Sequence, residues 1–243
     1  MGCTERTAPE VLFHDAHAVL FDFDGPVTDL FGDTSTAPVA AEIKKKVLGI
    51  WGHLDPDVEA CDDSHGILRR LSDMYGRPTA TPWDPRVLKE AEAIVTEAEH
   101  AAVRTAVPAP HVERLVEALS QRGRRLVIVS NNADGPVREF LDKWDLRFDF
   151  VVGRDPQRLE LMKPHPASVE RALARVGVKE PEQAFLIGDQ LTDLQAAHQA
   201  GIRFLGYTQS EERAELLRVK QANWVVKSHE PLIKAADSLI RSN

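Results

Sequence analysis

Two carboxylates one residue apart, Asp22 and Asp24, stand where the apolar run Ala18-Val19-Leu20 gives way to Gly25-Pro26. The run reads as a buried strand, and Gly-Pro marks a turn. Alternation along an extended chain turns residues 22 and 24 to the same side. Like charges at that range repel and raise one another's pKa unless a proton or a cation intervenes. A hard divalent ion, which prefers oxygen ligands, is the simplest partner. The expectation is a Mg²⁺-dependent site at the carboxyl end of a strand.

The other strand ends carry matching chemistry. The run from Leu126 to Val129 stops at Ser130-Asn131, a later loop holds Lys163-Pro164-His165-Pro166, and Ala184 to Ile187 ends in Gly188-Asp189 with Asp193 one turn into the next helix. In open α/β sheets ligands bind beyond the carboxyl ends of the strands. Carboxylates, a hydroxyl and a lysine on one rim make a phosphoryl-transfer set: metal ligands, phosphate donors, a cation and a nucleophile.

The elements that must position these residues alternate. Near-solid apolar runs at 18–23, 126–130, 148–152, 184–187, 202–205 and 224–226 are separated by helical patterns at 112–119, 137–144, 167–176, 191–200, a stretch capped by Ser210, and 231–241. This rhythm predicts an α/β fold, a doubly wound, Rossmann-like parallel sheet covered on both faces. Residues 1–15 read as a loose arm. Between 31 and 106 the strand-like runs disappear. Helical periodicity takes over in three faces, Val39, Ile43, Val47, Ile50; Ile67, Leu68, Leu71, Met74, Tyr75; and Val87, Leu88, Ala91, Ile94, Val95, Ala98. The expected division is an α/β core of residues 1–30 and 107–243 with an all-helical cap of residues 31–106.

A chain of 243 residues can bury a large core without disulfide staples. Its two cysteines, Cys3 and Cys61, suit a reducing compartment. No apolar segment is long enough for a bilayer, and the polar stretch from Met1 to Glu10 lacks the apolar core of a signal peptide. A cytoplasmic protein is expected, with no membrane partner. The formal charge of −8 argues against a nucleic-acid binder but not against a small anionic substrate, because a metal and a lysine set the local field.

Taken together and in order, Asp22-Phe23-Asp24-Gly25, Ser130, Lys163-Pro164 and Gly188-Asp189-Gln190-Leu191-Thr192-Asp193 resemble the four motifs of the haloacid dehalogenase superfamily. The resemblance is to its phosphoglycolate-phosphatase-like branch, with a helical cap inserted after the first motif. It implies an aspartyl-phosphate on Asp22, with Asp24 protonating the leaving oxygen and then deprotonating water. Ser130 and Asn131, through its backbone N–H, would hold phosphoryl oxygens, and Lys163 would neutralise charge on both phosphoryl group and nucleophile. Mg²⁺ would lie between Asp22, the backbone carbonyl of Asp24 and Asp189, with Asp193 behind it orienting the lysine or a coordinated water. The implied reaction is hydrolysis of a small phosphorylated metabolite by a monomer or homodimer. Pro26 departs from the threonine common in relatives and puts the turn, rather than the chemistry, in question. The presence of Asp24 favours phosphate esters over the halide and phosphonate chemistries of other branches.

Two other functions fit the same residues: a phosphomutase of sugar phosphates, which shares the intermediate, and a catalytically silent binding module. Other residues take ordinary readings. His165 is a turn residue. Cys61 to His65 lacks a four-ligand zinc set. Lys44-Lys45-Lys46, Arg69 and Arg70 are solvated helix faces. Trp51 and Trp83 pack within the cap, and His53 lies beside a cap turn. The first test is Asp22→Asn, which should abolish phosphate release from an aryl phosphate; retained turnover would remove Asp22 as nucleophile.

Overall fold

The computed structural model describes residues 8–78 and 83–239. Six strands, β1 (Ala18–Phe21), β2 (Arg125–Ala133), β3 (Phe150–Arg154), β4 (Ala184–Gly188), β5 (Arg203–Tyr207) and β6 (Trp224–Val226), form one sheet in the order β3-β2-β1-β4-β5-β6. Every pairing is parallel. Helices α1 (Ala8–Asp15), α6 (Val112–Ser120), α7 (Asp134–Lys143) and α11 (Glu230–Ser238) cover one face, and α8 (Ala167–Val176), α9 (Leu191–Gln199) and α10 (Glu211–Val219) the other. The α/β, doubly wound, Rossmann-like core read from the sequence is the fold observed.

Period-two alternation builds both cores from the same strands. Val19 and Phe21 of β1 join Leu12, Phe13, Leu115, Phe140 and Leu232 on one side, while Leu20 joins Val127, Val169, Leu194 and Phe204 on the other. β1 therefore has no polar face, and its first carboxylate comes only where the strand stops. Strand order reverses beside β1, which is flanked by β2 and β4. The crevice beyond a reversal of this kind is where such sheets bind ligands.

The helical block between β1 and α6 holds α2 (Ala37–Trp51), α3 (Pro56–Glu59), α4 (Ser64–Tyr75) and α5 (Arg86–Val103). It has its own apolar cluster, including Ile43, Val47, Ile67, Leu68, Leu71 and Val95, into which Leu159 and Met162 insert from the loop after β3. The two stretches of chain joining this block to the sheet run side by side. Thr28 Oγ1 donates to the Val107 carbonyl at 2.8 Å, and the Ala109 N–H donates to the Val27 carbonyl at 2.8 Å. Among the described residues no helix is long and apolar enough to cross a membrane.

Several details differ from the sequence reading. Residues 8–15 are no loose arm. They form α1, with Leu12 and Phe13 wholly buried and the Phe13 ring 5.3 Å from that of Phe185. A single helical turn of apolar residues is too short to show periodicity. Residues 1–7 of the expected arm, and 240–241 of the expected last helix, lie outside the described residues. β1 ends at Phe21, not 23, because after one last ladder bond from Asp22 the chain turns at Phe23. In α2 the buried face is Ala40, Ile43 and Val47, with Ile50 exposed, and Tyr75 of α4 also turns outward. Trp51 and Trp83 pack on each other with centroids 5.0 Å apart, and His165 caps a turn, its Nδ1 accepting from the Ala167 N–H at 3.2 Å. Truncating Phe13 to Ala should cost about 3–5 kcal/mol in urea unfolding. A change within experimental error would return α1 to the status of a dispensable arm.

Candidate active site

The turn after β1 sets the first two acids. The Asp22 N–H continues the ladder to the Ile187 carbonyl at 2.8 Å, tying the residue to β4. The chain then folds sharply: Gly25 N–H donates to the Thr28 carbonyl at 2.6 Å, and the Val27 and Thr28 N–H groups both reach the Phe23 carbonyl at 3.2 Å. Gly25 has φ 102°, and a Cβ there would lie 2.8 Å from Asp189 Cγ. Glycine is thus required twice over, for the backbone angle and for the close approach of the fourth motif. Pro26 is tolerated because the turn's hydrogen bonds come from positions 25, 27 and 28. Asp24 Oδ1 accepts the Leu30 N–H at 2.9 Å, which fixes its carboxylate over the crevice.

Lys163 comes from the loop after β3 and is almost fully buried. Its backbone is clamped by one side chain: the Lys163 N–H donates to Asn131 Oδ1 at 2.8 Å, and Asn131 Nδ2 donates to the Lys163 carbonyl at 3.1 Å. The ammonium lies 2.8 Å from Asp22 Oδ1 and 2.6 Å from Asp193 Oδ1, and donates to the Val129 carbonyl at 3.0 Å. All three donors of the group are thereby directed at the protein. Burial alone would depress the lysine's pKa, but Asp193 and Asp22 outweigh it and raise it. Asp193 is also the N3 acid of α9, its Oδ2 accepting the Gln190 N–H at 3.0 Å in a capping box. A Cβ on Gly188 would lie 2.7 Å from Asp193, so glycine ends β4 to let that carboxylate reach inward.

Asp189 shows how a cation would be received. Its Oδ2 accepts from Gln190 Nε2 at 2.8 Å and Arg213 Nη1 at 2.7 Å, while its buried Oδ1 has no hydrogen-bond partner. Oxygens of Asp22, Asp189 and Asp193 lie within 4.8 Å of one another. Desolvation by burial, then Asp193, holds the Asp22 carboxyl well above its ordinary range. Burial and then Asp193 push Asp189 up to about 7. Four acids, Asp22, Asp24, Asp189 and Asp193, crowd a crevice in which Lys163 and Arg213 are the cations paired with them. The shortfall is two positive charges. An orphaned carboxylate oxygen and a deficit of that size fit a divalent ion with oxygen ligands.

On the other side of the crevice, Ser130 Oγ donates to Asn132 Oδ1 at 2.9 Å and accepts the Asn132 N–H at 3.1 Å. The β2–β3 register shifts between Val129 and Ala133, which brings 130–132 out of the regular ladder and over the rim. Asn132 was missed by the sequence reading. Its Nδ2 is buried without a partner, a donor beside Ser130 that an anionic oxygen would satisfy. Asn131, expected as a phosphate group, spends its side chain on Lys163, leaving only its backbone N–H for that duty.

The acids, Ser130, Asn131, Asn132 and Lys163 line one cavity of about 820 Å³, closed from above by Asp63, His65 and Arg69 of the helical block. Arg69 is therefore not a solvated surface group, as its place in a polar helix face had suggested. Its Nη1 donates to the Lys163 carbonyl at 3.4 Å. The polar face of α4 looks down on the sheet rather than out to water, an orientation that periodicity cannot reveal. Arg213 was also missed, since nothing distinguishes it in the text of α10. Cys61 to His65 makes no metal site: Cys61 Sγ contacts the Asp63 carbonyl at 3.5 Å and His65 turns to Glu99.

Residues 19–207 match the haloacid dehalogenase-like hydrolase family. The chain is 30% identical over 128 residues, 52% of its length, to the phosphoglycolate phosphatases of Escherichia coli K12 and Salmonella typhi. It spans about half, 50%, of the length of these curated relatives. Among solved structures it is similar to a predicted phosphatase from Clostridium acetobutylicum (TM-score 0.62, 21% identity, 92% of this chain and 99% of that one). It is also similar to CbbY from Rhodobacter sphaeroides in complex with phosphate (TM-score 0.59, 20% identity, 91% and 99%).

The raised pKa of Asp189 has a direct consequence for metal-free protein. Below about pH 4 both folded and unfolded chains carry its proton, and above about pH 7 neither does. Between those limits only the folded state holds the proton, so stability falls as pH rises through the window. In excess EDTA, Tm should therefore decline across that range, and decline less in Asp189→Asn. Equal slopes in the two proteins would show that Asp189 titrates normally.

Proposed function

Since the chain belongs to the haloacid dehalogenase-like hydrolases, we propose that it is a Mg²⁺-dependent phosphatase that hydrolyses a small-molecule phosphate monoester through an aspartyl-phosphate on Asp22. The observation that carries this reading is the convergence of Asp22, Lys163 and Asp193 within 2.8 Å contacts, beside the unpartnered oxygen of Asp189.

Asp22 is the nucleophile: its carboxylate oxygen attacks phosphorus, the ester P–O bond breaks, and the mixed anhydride is later hydrolysed. Asp24 carries the proton for the leaving alkoxide and takes one from water in the second step. Burial raises its pKa, the direction a proton carrier needs, while the Leu30 N–H and His65 hold it back. Ser130, the Asn132 amide and the Asn131 N–H receive the phosphoryl oxygens. The Lys163 ammonium draws the Asp22 carboxyl down against burial and Asp193, which together still hold it raised, and acts on the phosphoryl group through its field, because its donors are already engaged. Asp22, the Asp24 carbonyl and Asp189 would hold Mg²⁺, which when bound supplies Lewis-acid charge to the phosphoryl group. Asp193 holds Lys163 in place and caps α9.

The helical block, residues 31–106, is read as a lid on a core of residues 1–30 and 107–243. Its separate apolar cluster and the paired crossings at Thr28 and Val107 support this division. Closure would keep bulk water from the anhydride. A cytoplasmic setting accords with the free, buried thiol of Cys61.

The reading is tested by screening phosphorylated metabolites for released phosphate with Mg²⁺ and with EDTA. Release should require the metal and return when it is restored. Metal-independent release would remove the ion from the reaction, and isomer formation from a sugar phosphate without release would make the enzyme a mutase. Asp24→Ala should lower turnover of alkyl phosphates by roughly a hundred- to ten-thousandfold. Aryl phosphates, whose leaving group needs no proton, should still release the phenol in a first-turnover burst, with later turnover slowed because hydrolysis of the anhydride has lost its base.

A further inference from the structure

One buried charged cluster has no part in the chemistry above. Arg154, at the end of β3, and Glu99 of α5 have fully buried side chains joined at 2.8 Å. Arg154 also reaches Glu92 Oε1 at 2.9 Å, Thr96 Oγ1 at 2.8 Å and the Asn131 carbonyl at 2.6 Å. Glu99 Oε2 accepts the Ala133 N–H at 3.0 Å, and its Oε1 receives His65 Nε2 of α4 at 2.8 Å. The cluster thus ties two helices of the lid to the ends of β2 and β3. Buried ion pairs are a poor source of stability, because desolvation offsets much of their attraction. What this one does fix is a histidine.

Burial would raise the Glu99 carboxyl, but His65 and Arg154 outweigh it and hold it at about 2. Glu99 is therefore an ionised, acceptor-only group, and His65 Nε2 must carry the proton of their hydrogen bond. That leaves Nδ1 as the ring nitrogen without a hydrogen-bond partner among the described residues. His65 lines the reaction cavity together with Asp24, whose carboxyl feels the imidazole. Arg69 lines the same cavity one helical turn further along α4. The phosphoryl group belongs at the sheet rim, with Asp22 and Ser130, whereas His65 approaches from the lid, on the side of the group that protonates the leaving oxygen.

We infer that His65 determines specificity, its Nδ1 accepting a hydrogen bond from a hydroxyl on the organic part of the substrate, with Glu99 and Arg154 as the residues that position it. The substrate class that follows is a phosphate ester whose alcohol carries further hydroxyl groups. The inference rests on the phosphatase reading. It is separable from it, because an aryl phosphate such as p-nitrophenyl phosphate has no such hydroxyl and reports the rim chemistry alone.

Glutamine can replace the Nε2 contact to Glu99 but offers nothing at the Nδ1 position, so His65→Gln separates a structural role from a substrate-facing one. kcat/KM for glycerol 1-phosphate and for ribose 5-phosphate should fall roughly ten- to a hundredfold further than that for p-nitrophenyl phosphate in His65→Gln. Glu99→Gln should shift the same ratio in the same direction. It should also shift the His65 Nε2–H signal in ¹⁵N-detected NMR, because a neutral amide accepts more weakly than a carboxylate. Equal losses on all three esters, or no loss, would overturn the inference. If no ester is turned over, the phosphatase reading fails, and binding decides the matter of His65. In Asp22→Asn protein with Mg²⁺, glycerol 1-phosphate or ribose 5-phosphate should move the His65 Nδ1 resonance and p-nitrophenyl phosphate should not. An unmoved resonance with both hydroxylated esters would sink the proposal.

Discussion

The ammonium of Lys163 in a pit of carboxylates is the interaction on which the rest of the rim depends. Neither partner is placed there cheaply. The lysine and Asp22 are both nearly cut off from water, where an unpaired charge of either sign would cost several kcal/mol. Each acid tolerates its position because the lysine bridges Asp22 and Asp193. The lysine tolerates its own because the Asn131 amide grips its backbone on both sides. Asp193 in turn is anchored by capping α9, so the helix that covers one face of the sheet and the charge balance of the site share a residue.

This lattice is incomplete by design of its charges. Lys163 and Arg213 compensate part of the acid cluster, and what remains fits a divalent ion. The asymmetry within Asp189, one oxygen doubly hydrogen-bonded and the other bare, expresses that at a single residue. Raised carboxyl pKa values at Asp22 and Asp189 say the same thing energetically: without added positive charge the cluster favours protons. Proton occupancy and stability are therefore coupled at the site, as metal occupancy would be to both.

The buried Arg154–Glu99 pair does related work between the two parts of the chain. It satisfies the Asn131 carbonyl and the Ala133 N–H, groups that the shifted β2–β3 register takes out of the ladder. At the same time Glu99 accepts from His65 of α4. The sheet rim and the helical block thus meet in a single ion pair.

What the amino-acid text decided by itself was the order of the parts. Solid apolar runs such as Phe185-Leu186-Ile187 can only be buried strands, helices with Gly177-type stops lie between them, and acids, hydroxyl and lysine fall at the strand ends, so the doubly wound sheet and its reactive rim were legible. Local signals carried this because strand burial, capping and turn chemistry act over a few residues. Contacts between distant segments were not legible. Nothing near Asn131 or Asn132 says that one will clamp a lysine and the other present a bare amide, and nothing near Arg69, His65, Glu99, Arg154 or Arg213 separates them from surface charges. α1 was missed because one apolar turn has no period to detect. Which way the polar face of α4 looks depends on how the helical block sits over the sheet, and that is settled by packing among Leu159, Met162 and the block's own core, a sum of long-range contacts that only the folded chain evaluates.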